Sequence, residues 1–345
     1  MIAPTEGTLP GSAPHRAGPG LPWLVADVGG TNARFGWVAD AAKGVQHIRK
    51  LPTADHAGPA QAASAYLAEL SRDLGGAAAT PRRAAMAVAM TVDGDDMEMT
   101  NSHWRFSRSA LARELGVQTL LVLNDFEALA LSLPRLHGEQ LRSVGPFAAH
   151  ARAQGTLAVI GPGTGLGVAG VVQTPQGWVA LPGEGGHATL APGDDYESRI
   201  LQHVRQTHDH VSAERLLSGI GLPALYDAVA TVLGHNVPAL TAEVIVERGV
   251  SGSDALCRRT LDTFCALLGS FAGNVALTLG ARGGVYIGGG IVPRFGERFF
   301  ASEFRERFEA KGRFRGYLET IPTVLIIDTL AALTGAALAL EQHEL

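Results

Sequence analysis

Cysteine is nearly absent from this 345-residue chain, which holds only Cys257 and Cys265, both in one helix-like stretch. Two thiols so placed exclude a disulfide framework and a four-ligand zinc site, and they fit a reducing compartment, so the expected location is the cytoplasm. An excess of positive charge is also missing. The 28 Lys and Arg residues are outnumbered by 33 Asp and Glu, giving a net charge of -5 with no basic stripe. A nucleic-acid partner or an anionic membrane surface is therefore not expected. No apolar run long enough to cross a bilayer escapes interruption by Gly, Pro or charge. Residues 1–20, MIAPTEGTLPGSAPHRAGPG, lack the apolar segment of a signal peptide and read as a disordered tail.

What the chain has in surplus is glycine, 43 residues against a usual share of about 7%. Glycine weakens the interiors of helices and strands, so the surplus implies turns and places where the backbone closely approaches something else. Hydrophobic residues make up 46%, enough for a large core, and the length suggests two lobes. Short apolar runs alternate with helical patterns, the signature of an α/β protein. Strands are expected at Trp23–Val28, Ala33–Val38, Ala84–Met90, Leu120–Leu123, Thr156–Ile160, Gly167–Val172, Val285–Ile287 and Val324–Ile327. Helices are expected over 60–74, 107–115 (Ser107 as N-cap), 125–133, 212–217, 254–279 and 329–342. Strand–glycine loop–strand occurs twice, at 23–38 and 156–172, and duplicated halves of this kind would set two glycine loops across one cleft.

The first loop, Asp27-Val28-Gly29-Gly30-Thr31-Asn32, follows a strand and can offer an anion a nest of backbone N–H groups, with Asp27 able to hold Mg²⁺ through water. A strand rather than a helix comes next, which excludes a P-loop; an ordinary Gly-Gly hairpin turn fits the same residues. The second loop, Gly161-Pro162-Gly163-Thr164-Gly165-Leu166-Gly167, contains a G-x-G-x-x-G match at Gly165–Gly170. The dinucleotide reading needs a helix starting inside the motif, and Val168–Val172 favours a strand, so a phosphate-facing hairpin fits better. Gly288, Gly289 and Gly290 end a third apolar run, where bare backbone can lie against an adenine or ribose or simply turn the chain.

Groups able to hold and activate a hydroxyl form a second set. Asn124 and Asp125 stand where a strand meets a helix, the edge that faces the ligand crevice in α/β proteins. A carboxylate there can take the proton of an attacking hydroxyl, and the same pair can serve as a helix N-cap. Glu184 and His187 sit on the glycine-flanked turn Leu181-Pro-Gly-Glu-Gly-Gly-His187, where they could hydrogen-bond several vicinal hydroxyls. Glu214, in His210-Val-Ser-Ala-Glu-Arg215, adds a carboxylate near an expected helix start capped by Ser212. His203, His208 and His210 read as solvated rather than metal-binding, and the acidic turn Asp93, Asp95, Asp96 lacks the spacing of a calcium loop.

Together these segments closely resemble the bacterial glucokinase family of the sugar kinase, actin and chaperone ATPase superfamily. The likeness runs from about Leu24 to the C-terminus. It is carried by VADVGGTNARF (25–35), MTNSHWRFS (99–107), LNDFEALA (123–130), GPGTGLGVA (161–169), LPGEGGHATLAP (181–192), HVSAERLLSGIGL (210–222), GGVYIGGGIVPRF (283–295) and KGRF (311–314). The resemblance implies a two-lobed ribonuclease-H-like fold with a duplicated core. Its small lobe would span 21–135, joined by a C-terminal helix within 328–345, and its large lobe 136–327. It implies transfer of the γ-phosphoryl group of ATP, with Mg²⁺, to the 6-hydroxyl of glucose, and a homodimer. Asp125 would be the general base. Asn101, Asn124, Glu184, His187 and Glu214 would bind sugar hydroxyls. Gly29, Gly30, Thr31 and Asn32 with Gly163, Thr164 and Gly165 would cradle phosphates, Asp27 would sit near Mg²⁺, and Gly288–Gly290 would border adenosine. Two departures stand out: Thr91, where such sequences often have Pro, and Asp328–Leu333, which replaces an Asn-Pro-Gly type segment. Two rival classes fit less well. A sugar-sensing repressor would need a helix-turn-helix longer than the twenty residues before the first strand. An actin- or chaperone-like ATPase would have no use for the Glu184, His187, Glu214 and Asp125 set.

Overall fold

In the computed structural model, which describes residues 20–77, 79–147 and 154–343, the apolar runs settle into two sheets of matching connectivity. Residues 1–19 of the expected tail lie outside the described residues. The strands are β1 Trp23–Val28, β2 Asn32–Val38, β3 Gln46–Pro52, β4 Arg83–Val88, β5 Asp96–Glu98, β6 Arg105–Ser107, β7 Thr119–Asn124, β8 Leu141–Ser143, β9 Thr156–Pro162, β10 Leu166–Thr174, β11 Gly177–Gly183, β12 Gly284–Ile287 and β13 Thr323–Ile326. β1 to β3 form an antiparallel meander, and β4 and β7 extend it in parallel, giving the order β3-β2-β1-β4-β7. β9 to β11 repeat the meander and β12 and β13 repeat the parallel half, giving β11-β10-β9-β12-β13, with β8 antiparallel on the far edge. The two strand–glycine–strand segments are the corresponding hairpins of these halves.

Every expected strand is present to within two residues at either end. β3 and β11 lie outside the expected set for one reason: both are edge strands. An edge strand need not bury a face, so β3 (QHIRKLP) is largely polar, and β11 (GWVALPG) carries Gly and Pro. Most helices also follow the expectation. Ser107 Oγ accepts the Ala110 N–H at 3.1 Å to start Arg108–Leu115, and Asp254 starts Ala255–Leu279, which closes at Gly280 with φ 62°. The expected helix over 212–217 is a correction. Those residues form a chain of tight turns, because the backbone is pulled onto neighbouring loops by Ala213 N–H to Ala188 O (2.9 Å) and Glu214 N–H to Gly186 O (2.9 Å). Ser212 Oγ still accepts a capping-type bond, from Arg215 N–H at 3.2 Å. Helices Asp195–Val204, Leu222–Val232 and Ala242–Ser251 complete the packing around the second sheet.

Ala255–Leu279 departs from the expected absence of a membrane-length run, being long and apolar enough by length and composition. It is the core helix of the second half, with 83% of its most apolar window buried among side chains such as Phe295, Phe304 and Phe308. The fold's centre is a different pair of helices. Asp125–Ser132 lies against β9, β10 and β11, while Ala331–Gln342 covers β1 and β4 through Leu333, Ala336 and Leu340. These two helices press on each other, so each sheet reaches the other through them. The crossing is closest at Gly335, where a methyl group would overlap the Ala128 carbonyl oxygen.

Gly335→Ala is therefore expected to destabilise the protein by about 1–3 kcal/mol, the usual penalty for overpacking a filled contact. Gly316→Ala, in a helix with nothing within 4 Å of the added methyl, should be neutral or stabilising by about 0.5–1 kcal/mol. Urea titrations of both variants check this, and equal midpoints would contradict the close crossing.

Candidate active site

Both glycine hairpins open from the ends of central strands onto a common cleft. In the first, Gly29 N–H donates to Asn32 O at 2.9 Å, while the Gly30 and Thr31 carbonyls are occupied by Thr53 through its hydroxyl (2.8 Å) and N–H (3.0 Å). A Cβ on Gly30 would overlap Asn101, so the Asn101 loop lies directly on this turn. In the second, Gly163 N–H donates to Gly165 O at 2.8 Å, and the Gly163 carbonyl accepts Gly219 N–H at 2.8 Å. The segment Ser218–Gly221 thus braces the hairpin from behind.

Three adjoining cavities make up the cleft. The middle one, about 770 Å³, is lined by all six residues expected to meet the sugar: Asn101, Asn124, Asp125, Glu184, His187 and Glu214. Gly29, Gly30, Thr31, Gly163, Thr164 and Gly165 border the same space. A second, of about 440 Å³, joins Asp27 and Asp125 to Gly288–Gly290. A third, about 820 Å³, runs from Gly163, Thr164 and Gly290 to Thr241, Glu243 and Arg294. Asn32 is the exception, because it lines none of these cavities and pairs with Pro52 at the hairpin's neck.

The glycines differ in what requires them. Gly289 has φ 78° and leaves no room for a Cβ against Pro162 O, so its own backbone accounts for it. Gly163 and Gly290 have neither a left-handed φ nor any atom within 4 Å of where a Cβ would stand. Both border the cavity of about 820 Å³, where a bare backbone leaves room for close approach by a ligand.

Asp125 is the first residue of its helix, next to Asn124. The Asn124 carboxamide oxygen caps the helix by accepting Phe126 N–H (2.9 Å), and its NH₂ donates to Met90 O (3.0 Å). The capping role is thus real, and one N–H of the amide is left over to serve the cavity. Asp125 Oδ1 accepts Phe126 N–H at 2.9 Å. Burial in the crease pushes its pKa up to about 6 from 3.8, with the nearby Asp27 and Glu184 carboxylates adding to the rise. Asp27 is also raised, again by burial, and opposed by Arg34, whose Nη1 lies 2.8 Å from Asp27 Oδ2. On the sugar side, Glu214 Oε2 accepts Leu166 N–H at 2.8 Å, tying it to the second hairpin, while Oε1 lies 3.9 Å from His187 Nδ1. His210 Nε2 is 2.9 Å from the His187 carbonyl and braces that turn, and His203 pairs with Asp227 at 2.9 Å. Both contacts lie at exposed positions. Among the described residues no group of three or more His, Cys, Asp or Glu side chains is arranged to hold a metal ion.

Three neighbours of the site lie outside the expected set. Arg34 stands opposite Asp27 in the β1–β2 register, a pairing that follows from the hairpin once the turn is placed. Phe126 lies under the second hairpin, where a Cβ on Gly161 or Gly167 would overlap its ring, so the helix that carries Asp125 is keyed to those glycines. No sequence pattern marks that contact. The third is Thr91, whose hydroxyl donates to Glu184 Oε1 at 3.1 Å, so this departure touches a site residue directly. Asp328 of the other departure accepts Leu330 N–H (2.8 Å), just before the last helix, and Gln140 Nε2 (2.7 Å).

A raised carboxylate pKa means that ionised Asp125 weakens the fold. Below about pH 4 folded and unfolded chains both hold the proton, and the penalty grows up to about pH 6, above which it is complete. Asp125→Asn should accordingly stabilise the protein by about 1–3 kcal/mol at pH 7.5 and leave it unchanged near pH 4. Denaturant melts at the two pH values test this, and a loss of stability at pH 7.5 would contradict it.

Known proteins resemble this chain in sequence and fold. The sequence model of the Glucokinase family matches residues 24–343. A glucokinase of Paramagnetospirillum magneticum is 49% identical over 91% of this chain and 96% of its own length. One from Neisseria meningitidis serogroup C is 47% identical over 94% and 96%. Among solved structures, a glucokinase from an Antarctic psychrotroph has a TM-score of 0.84 at 38% identity, covering 92% of this chain and 98% of that one. A ROK family glucokinase from Streptomyces griseus, solved with glucose and AMPPNP, has a TM-score of 0.57 at 19% identity over 92% and 98%, a likeness of fold. The resemblance read from the motifs holds over the whole described length: this chain belongs to the glucokinase family.

Proposed function

We propose that the middle cavity binds glucose with its 6-hydroxyl at Asp125, and that the two glycine hairpins hold the phosphates of Mg²⁺–ATP opposite it. Membership of the family makes the chain an ATP-dependent hexose kinase of the glucokinase type. The observation that supports the residue roles is the gathering of Asp125, Glu184, His187 and Glu214 with both hairpins around one cavity. In this reading Asp125, ionised above about pH 6, takes the hydroxyl proton as the sugar oxygen bonds to the γ-phosphorus. The bond from that phosphorus to the bridging oxygen breaks, and ADP leaves with the electron pair. Asn101, Asn124, Glu184, His187 and Glu214 hold the remaining hydroxyls, which fixes the nucleophile in place.

Mg²⁺ arrives as part of the nucleotide substrate. Asp27 fits a place beside it, since burial has raised its pKa and a divalent cation nearby would favour the charged form. Arg34, already paired with Asp27 and lining the cavity that adjoins Gly288–Gly290, is suited to the phosphate charge. Adenosine then extends over Gly290 toward Thr241 and Arg294. The lobes are assigned as 21–135 with the last helix, and 136–327, closing about the crossing at Gly335. Two buried free thiols, Cys257 and Cys265, suit the reducing cytoplasm, where the enzyme would act as a homodimer.

Purified protein with Mg²⁺–ATP and a panel of hexoses, scored for ADP release, should show turnover that depends on glucose. Asp125→Asn should retain glucose binding and lose at least a hundredfold in kcat, in line with the usual worth of a general base. Glu184→Ala should raise KM for glucose more than KM for ATP. Turnover by Asp125→Asn within a few-fold of the parent, or equal changes in the two KM values, would contradict these roles.

A further inference from the structure

Glu184 stands on a turn with glycine at 183, 185 and 186, so no neighbouring side chain of its own segment restrains it. Among the described residues, the side chain that hydrogen-bonds its carboxylate is Thr91, from the far wall of the cleft, with Oγ1 donating to Glu184 Oε1 at 3.1 Å. Thr91 itself follows Met90, whose carbonyl accepts the Asn124 carboxamide at 3.0 Å. Asn124 caps the helix that begins at Asp125. A continuous run of bonds therefore leads from the helix carrying the general base, through Asn124, Met90 and Thr91, to the Glu184 carboxylate, and Thr91 lines the same cavity as both ends of it.

From this we infer that Thr91 is a positioning residue for hexose binding, setting the Glu184 carboxylate at a fixed place relative to Asp125; the inference rests on the reading that Glu184 binds the sugar. A carboxylate has about four lone-pair positions and Thr91 occupies one, so the others stay open to sugar hydroxyls. Holding a long, rotatable side chain in its bound rotamer beforehand removes an ordering cost of about 0.5–1.5 kcal/mol from binding. The hydroxyl of Thr91 also keeps its own lone pairs, which can accept from the sugar. Both partners are solvated in the open cleft, and the bond between them strengthens when a hexose displaces that water. The effect belongs to the sugar rather than the nucleotide, because Thr91 lies on the middle cavity and not on the one that runs from Gly290 to Arg294.

Steady-state kinetics of Thr91→Val, Thr91→Ser, Glu184→Ala and the Thr91→Val/Glu184→Ala double variant test the inference. Thr91→Val keeps the shape and removes the hydroxyl. It should raise KM for glucose about three- to tenfold and shift KM for ATP less than twofold. Thr91→Ser should return KM for glucose to within twofold of the parent, a rescue that a role in loop packing alone would not give. In the Glu184→Ala background, which removes the acceptor, Thr91→Val should add less than twofold, since its effect passes through that carboxylate. An unchanged KM for glucose in Thr91→Val, or an equal rise with and without Glu184, would overturn the positioning role and leave the sugar site standing. A Glu184→Ala enzyme with the parent's KM for glucose would instead overturn the reading of Glu184 itself, and the inference with it.

Discussion

A carboxylate held where water is scarce is the constraint on which this structure depends. Asp125 begins a helix in the crease between two sheets, with Asp27 and Glu184 near enough to oppose its charge. Burial there costs stability, and in the proposed role it would give a base with a pKa of about 6, not far below neutrality, where proton acceptance is most effective. The rest of the site follows from keeping that carboxylate in place. Asn124 caps its helix, Phe126 locks the helix beneath Gly161 and Gly167, and the helix Ala331–Gln342 backs it at Gly335. A displacement of the helix would move the base relative to both hairpins at once.

Duplication supplies the second half of the arrangement. Each sheet begins with an antiparallel meander whose first turn is glycine-rich, and each turn opens at the cleft. The sequences differ around this common plan. The first turn rests on Asn101 and Thr53, and its strand register sets Asp27 against Arg34. The second is braced by Gly219 and by Glu214, so a residue assigned to the sugar also holds a loop assigned to phosphate. Through that bond, any shift of Glu214 would act directly on the Leu166 amide at the hairpin's end.

Central strands and capped helices were legible in the sequence because burial and capping leave local marks. The apolar runs of β1, β4, β9 and β12 are such marks, and Ser107, Asp254 and Gly280 each hold the cap their chemistry suits. The edge strands β3 and β11 were not legible, since a strand paired on one side need not alternate. The 212–217 segment misled because Ser212 and Glu214 resemble a helix start, while bonds to Ala188 and Gly186, distant in sequence, decide its shape. The site divides along the same line. Asp125 stands out at a strand-to-helix junction and Glu184 and His187 by residue type among glycines, whereas Phe126 and Thr91 make contacts with distant segments that no local pattern encodes.

The account turns on Asp125 being the ionised base with a pKa near 6 in the free enzyme. The pH dependence of kcat/KM for glucose, measured with Mg²⁺–ATP well below its own KM, reads that group directly. A limb that falls tenfold per pH unit below about pH 6 is the predicted result. Activity that stays level down to pH 4.5 would contradict it.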